Sequence, residues 1–261
     1  MIVSSDVIRL GFSGFDRDPM TLRDLNSTVD DIKALRFLEE GVDDDNFQEY
    51  WAFTQSVYNG APNDAPPSES DKQAIRNYYL LRAVMMNDAA GAQEAIRLGA
   101  DINEFSIVNG RRGCPLIRAT TNGNMGIVRM LVESGADVNI MQLNGENSIA
   151  IASSLDYYEI AEYLLKHHAD PNVRAHGGLT PLALAENSRM VKLLLDNGAD
   201  PNIPDSDGDL PIIARIDNGD VASVELLIEA GTDIDRANKV GISARMHGRS
   251  TGNYSIRTLM G

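Results

Sequence analysis

Residues 180–202 read Thr180-Pro181-Leu182-Ala183-Leu184-Ala185-Glu186-Asn187-Ser188-Arg189-Met190-Val191-Lys192-Leu193-Leu194-Leu195-Asp196-Asn197-Gly198-Ala199-Asp200-Pro201-Asn202. Pro181 suits the first turn of a helix, where its missing N–H removes no hydrogen bond. Val191, Leu194 and Leu195 fall at helical spacing and mark the apolar face of a second helix. Gly198 suits the left-handed residue that ends it. The stretch therefore predicts two short antiparallel helices and a turn.

The same pattern recurs along the chain. Gly99-Ala100-Asp101, Gly135-Ala136-Asp137, His168-Ala169-Asp170, Gly198-Ala199-Asp200 and Gly231-Thr232-Asp233 place their aspartates 36, 33, 30 and 33 residues apart. Two residues after each stands Asn103, Asn139, Asn172, Asn202 and then Asp235. Six before it stands Ala95, Leu131, Leu164, Leu194 or Leu227, and nine before it Ala92, Val128, Ala161, Val191 or Val224. The upstream helix opens at Cys114-Pro115-Leu116, Thr180-Pro181-Leu182 and Leu210-Pro211-Ile212. Ala83, Ala119, Ala152 and, in the shortened copy, Ala185 form a small-residue column that lets the paired helices approach. Arg215 breaks that column, which predicts a looser or shifted fourth pair.

A period near 33 residues with a T-P-L-x-x-A start and a G-A-D-x-N end resembles the ankyrin repeat. The resemblance covers residues 68–261 and implies an all-α helix-turn-helix solenoid of about five units, with an imperfect cap over 243–261. Gly248 and Gly252 are expected to interrupt the first helix of that cap. Ala150 and Ala183 stand where the family usually has histidine, so the link that histidine provides between repeats must be absent or replaced. His168 replaces the helix-ending glycine and should be strained at positive φ.

Residues 1–67 lack the repeat columns and form a second region, read as an acidic helical extension. Helices are expected after Ser27 and after Asp43-Asp44-Asp45, the second carrying Phe47, Tyr50, Trp51 and Tyr58 on one side. That aromatic face either covers the open end of the first repeat or anchors a partner through Tyr50 and Trp51. Gly60 to Pro67 reads as a linker.

Composition narrows the function. Against 23 Lys and Arg stand 38 Asp and Glu, a formal charge of −15, which argues against direct nucleic-acid or acidic-membrane binding. The single Cys114 excludes an internal disulfide and fits a reducing compartment, and no apolar stretch has the length of a membrane span. The N-terminal residues lack a signal-peptide pattern, so a cytoplasmic protein is expected. Cys114 sits in the threonine column as a packed small residue. Asp205-Ser206-Asp207-Gly208-Asp209 begins like a calcium loop, but its twelfth position is Ile216, and turn geometry accounts for the acids. His167 and His168 adjoin at a helix end and diverge. No catalytic constellation, cofactor site or metal site is expected.

What the resemblance implies is protein binding through a concave face, carried by hairpin fingers and inner-helix ends. Those positions are Met141, Leu143 and Asn144, then Arg174 and His176, then Ser206, Asp207 and Asp209, then Lys239, with Leu155 on an inner helix. Met141 and Leu143 are apolar at a normally polar tip, and either meet a partner or fold onto neighbouring turns. Between Asp101 and Ala119 the first finger is three residues longer than its successor and carries Phe105, Ile107, Arg111 and Arg112. Insertions often map to the binding face, though Phe105 and Ile107 could instead pack on the N-terminal extension. The expected partner is a protein with a basic patch, met by a chain that is monomeric when unbound. The alternatives are an immunity- or antitoxin-type inhibitor that blocks an active site, or a secreted effector scaffold.

Overall fold

The computed structural model describes residues 69–108, 111–143 and 145–261, so the helices expected before Pro67, and the aromatic face of Tyr50 and Trp51, lie outside the described residues. These residues group into two compact units, 69–122 with 133–136, and 123–132 with 137–261. The first unit holds α1 (Glu69–Met85) paired with α2 (Ala89–Arg97), a hairpin of β1 (Ser106–Val108) and β2 (Arg111–Gly113), and α3 (Pro115–Thr121). α4 (Met125–Glu133) belongs to the second unit up to Val132. There follow α5 (Ser148–Ser154) with α6 (Tyr158–Lys166), α7 (Pro181–Leu184) with α8 (Ser188–Asp196), α9 (Ile212–Asp217) with α10 (Val221–Glu229), and α11 (Ala244–Ser250) with α12 (Tyr254–Leu259). The fold is the all-α helix-turn-helix repeat that the columns imply, with the short β1–β2 hairpin inserted in the first finger.

Many helix starts are capped by their own N-terminal side chain. Thr180 Oγ1 accepts from the Ala183 N–H, Asn147 Oδ1 from Ala150, Asn187 Oδ1 from Met190 and Ser243 Oγ from Met246. Losing such a cap costs on the order of 1 kcal/mol. The two apolar columns form the interior: Val128, Ala161, Val191 and Val224, and Leu131, Leu164, Leu194 and Leu227, are all fully buried. Burying each large member contributes about 2 kcal/mol. Helices end on Gly99, Gly135, Gly198 and Gly231 at positive φ; His168 takes the same conformation at φ 69° with its side chain exposed.

The asparagine column clamps one loop to the next. Asn139 donates Nδ2–H to the His168 carbonyl at 3.0 Å and accepts the Asp170 N–H at 2.7 Å. Asn172 does the same to Gly198 and Asp200, and Asn202 to Gly231 and Asp233, at the same distances. In the first unit, α1 divides that task between two side chains one turn apart. Gln73 Nε2 donates to the Gly99 carbonyl at 2.9 Å, and Asn77 Oδ1 accepts the Asp101 N–H at 2.7 Å.

Two expectations are revised. Arg215 does not loosen its repeat: it is buried, and Nη1 donates to the Ala185 carbonyl. The shortened copy ends α7 at Leu184, and Ala185 is already extended, so its carbonyl is open to the next repeat. The guanidinium thus bonds the backbone where the shortened helix stops. Burial lowers its pKa, opposed by the charges of Glu186 and Asp220, while its Nε–H has no partner. Gly248 does not interrupt α11, which runs through it. A methyl group there would stand 2.6 Å from Met260 Cγ, so glycine is what lets Met260 pack. At the histidine column Ala150 and Ala183 supply no polar link; nearby Asn147 Nδ2 and Ser148 Oγ are buried without partners.

Candidate protein-binding surface

Between the helix pairs of the second unit run four five-residue turns, 142–146, 175–179, 205–209 and 238–242. In each the first N–H donates to the fifth carbonyl, as in Gln142 to Glu146 at 2.8 Å and Asn238 to Ile242 at 2.9 Å. Antiparallel bridges Met141–Asn147 and Ala237–Ser243 close two of them. The last three turns are joined edge to edge, Ser206 N–H donating to the Gly177 carbonyl at 2.8 Å and Lys239 N–H to that of Asp207 at 3.0 Å. Gly178 and Gly208 permit that approach: a Cβ at either would stand 3.1 or 3.0 Å from the neighbouring backbone nitrogen. The backbone of the fingers is therefore fixed, and their tip side chains are presented on a fixed frame.

The expected binding positions distribute over this frame unevenly. Leu143 is 94% exposed at a tip, so it does not fold onto a neighbouring turn; Met141 is 43% exposed beside it. Asn144 lies outside the described residues. Leu155, the C-cap of α5, is exposed, as are Arg174, His176, Ser206, Asp207 and Lys239. Lys239 turns its ammonium onto the Ser206 carbonyl. Asp209 is half-buried and accepts from Asn238 Nδ2 at 2.7 Å, which ties it to the next finger.

Asp205 explains the calcium-like spelling. Its Oδ1 accepts the N–H groups of Asp207 at 2.8 Å and Asp209 at 2.9 Å, an Asx turn that leaves the acids serving backbone geometry. Among the described residues no three His, Cys, Asp or Glu side chains converge to hold a metal ion, and no helix is long and apolar enough to cross a membrane. Cys114 is buried ahead of α3.

The long first finger belongs to the other compact unit. Its hairpin pairs Ser106 with Gly113, Ile107 with Arg112 and Val108 with Arg111, so the insertion becomes one additional pair of strands. Phe105 is half-buried at its base. Sequence reasoning missed two exposed apolar side chains near the end of the repeats, Met246 at 58% and Tyr254 at 75%. Their signal was available, since arginines stand at columns that are apolar or small in most earlier repeats.

A family described as ankyrin repeats, in three copies, matches residues 80–175 and 167–238. The chain belongs to the ankyrin-repeat family, whose repeats generally mediate protein–protein interaction. It is 32% identical over 135 residues to the B-cell lymphoma 3 protein homolog of Mus musculus, covering 50% of this chain and 30% of that protein. It is 26% identical to a putative ankyrin repeat-containing protein of Treponema pallidum, over 56% of this chain and 50% of that one. A third relative, named palmitoyltransferase AKR1 in Lachancea kluyveri, is 26% identical over 75% of this chain and 27% of its own length. The matched region thus spans half or less of the length of these curated relatives.

Proposed function

We propose that the chain is a non-catalytic protein-interaction module that seats a partner on its fingers and inner-helix ends. Leu143 carries this reading: a large apolar side chain left 94% in water on a finger that the Gln142–Glu146 and Gly145–Gln142 backbone bonds hold in shape. An exposed anchor on a pre-ordered frame binds without the entropy cost of ordering the loop. Met141, Leu155, Arg174, His176, Ser206 and Asp207 supply polar and apolar contacts around it, and the 105–113 hairpin, with Phe105, Ile107, Arg111 and Arg112, provides a second contact region. The net charge of −15 favours a partner with a basic patch and a soluble, cytoplasmic setting. Residues 1–67 act as an acidic extension of the repeats.

An inhibitor of the immunity or antitoxin kind remains the alternative, favoured by the same acidity, which suits a blocker of a basic active site. The similarity to a protein named as a palmitoyltransferase covers 27% of that protein and brings no activity with it. Affinity capture of the tagged full chain, followed by mass spectrometry, tests the module. Leu143→Asp with Met141→Asp should reduce capture of the partner by roughly tenfold, the loss of a central hot spot, with helicity and Tm unchanged. Undiminished capture would remove the fingers from the interface. Assay of the captured partner, with and without the chain, separates inhibition from scaffolding.

A further inference from the structure

The last repeat reverses the chemistry of the columns that precede it. Three residues beyond the turn before each inner helix stand Leu116, Ile149, Leu182 and Ile212, all buried; at that place α11 has Arg245. Four residues further the column reads Thr120, Ser153, Glu186, Ile216 and then Arg249. On the outer helix the fully buried Val128, Ala161, Val191 and Val224 are followed by Arg257. In these three columns the last repeat puts guanidinium groups where most earlier repeats carry small or apolar side chains.

A polar face of either sign would serve where this repeat meets water, and this chain elsewhere favours carboxylates. Residues 234–261 instead carry Arg236, Lys239, Arg245, Arg249 and Arg257 against one acid, Asp235. That acid is already committed. Arg245 grips it through Nε at 2.6 Å and Nη2 at 3.0 Å, and gives Nη1 to the Met260 carbonyl. Arg249 and Arg257 are exposed, and among the described residues neither makes a salt bridge, the Arg249 charge acting on Asp235 only at longer range. Arg257 lies 6.0 Å from the ring centre of Tyr254, itself 75% exposed, and Met246 is 58% exposed one helical turn before Arg249. Two exposed planar guanidinium groups with apolar side chains beside them match carboxylates flanking an apolar residue, because the guanidinium fork fits a carboxylate in two places at once.

We propose that the outer face of the last repeat, Arg249 and Arg257 with Tyr254 and Met246, docks an acidic segment of a partner protein. This surface is separate from the fingers and opposite in sign to the chain as a whole, which makes the protein a two-sided adaptor.

Fluorescence anisotropy on the full chain tests it, with a labelled peptide of about ten residues, Asp and Glu around one central Phe, and its Lys counterpart as control. The acidic peptide should bind and the Lys peptide should not, with affinity weakening roughly tenfold between about 50 and 300 mM salt. Arg249→Glu with Arg257→Glu should weaken binding by roughly tenfold or more. Should that variant fold poorly by circular dichroism, Arg249→Gln with Arg257→Gln replaces it. Leu143→Asp should leave peptide binding unchanged, so failure here and failure of the finger surface are distinguishable. Equal binding by the arginine variants overturns the proposal, as does no binding by the parent chain. A single-stranded oligonucleotide that outcompetes the peptide would reassign the face to polyphosphate. Self-association that sedimentation finds in the parent and not in the variant would reassign it to a second copy.

Discussion

Asn202 and Asp235 occupy the same column one repeat apart and do opposite things. Asn202 uses both ends of its amide, donating to the Gly231 carbonyl and accepting the Asp233 N–H, and so sews one loop to the next. Asp235 has no donor and turns back onto Arg245, which has itself replaced a buried leucine or isoleucine. An amide fits where a backbone follows, because a peptide offers one donor and one acceptor. A carboxylate fits where a guanidinium follows. α1 shows a third solution, dividing the amide's two roles between Gln73 and Asn77. The interior of the stack is therefore specified by apolar packing plus backbone matching, and its last repeat by charge.

The sharpest test of that contrast compares the outer-helix face in two places. Leu194→Ala, at a fully buried interior site, should cost roughly 3 kcal/mol in urea unfolding. Arg257→Ala, at an apolar column in the last repeat, should stay within about 0.5 kcal/mol. Comparable losses at both would mean that the last repeat is packed like the interior. Next in size, Arg215→Ala should cost about 2 kcal/mol, because it opens a cavity and strands the buried Ala185 carbonyl. Arg215→Met, which restores most of the volume, should recover part of that loss.

Asn202→Asp should cost about 1 kcal/mol, as the bond to Gly231 is lost and a charge faces its carbonyl. A neutral result would make the clamp decorative. His168→Gly should be neutral or stabilise by up to about 1 kcal/mol, since glycine adopts φ 69° without strain. A lower Tm would reveal a contact made by the imidazole. The smallest effect concerns pH. The Arg245 hydrogen bond holds the Asp235 carboxyl below its ordinary value. Its contribution is then present above the unfolded pKa and lost as pH falls through the lower folded one, a window below about 4. Asp235→Asn should flatten the stability–pH curve there, and parallel curves would show that the bridge contributes nothing.

Much of this was legible in residue order. Gly-Ala-Asp spacing, proline at helix starts and the apolar columns sufficed for the helix pairs, since each reports a local requirement of backbone geometry or one helical face. The finger surface was half legible. Leu143 could be flagged as apolar at a tip, but its exposure depends on what surrounds it. Asp209 reads like Asp207, yet Asn238 of the following finger holds it. The insertion at 104–113 was visible as extra length, while its strand register was not.

Local repetition alone determined that the chain is built of stacked two-helix repeats, because a period survives in sequence whenever every copy solves the same packing problem. Tertiary structure alone decided how the irregular copies are reconciled. A three-residue deletion just after Ala185 and an oversized Arg215 look like independent faults thirty positions apart, and become one hydrogen bond when neighbouring repeats meet. Contacts between copies depend on the space that both leave, and no single window of sequence contains that space.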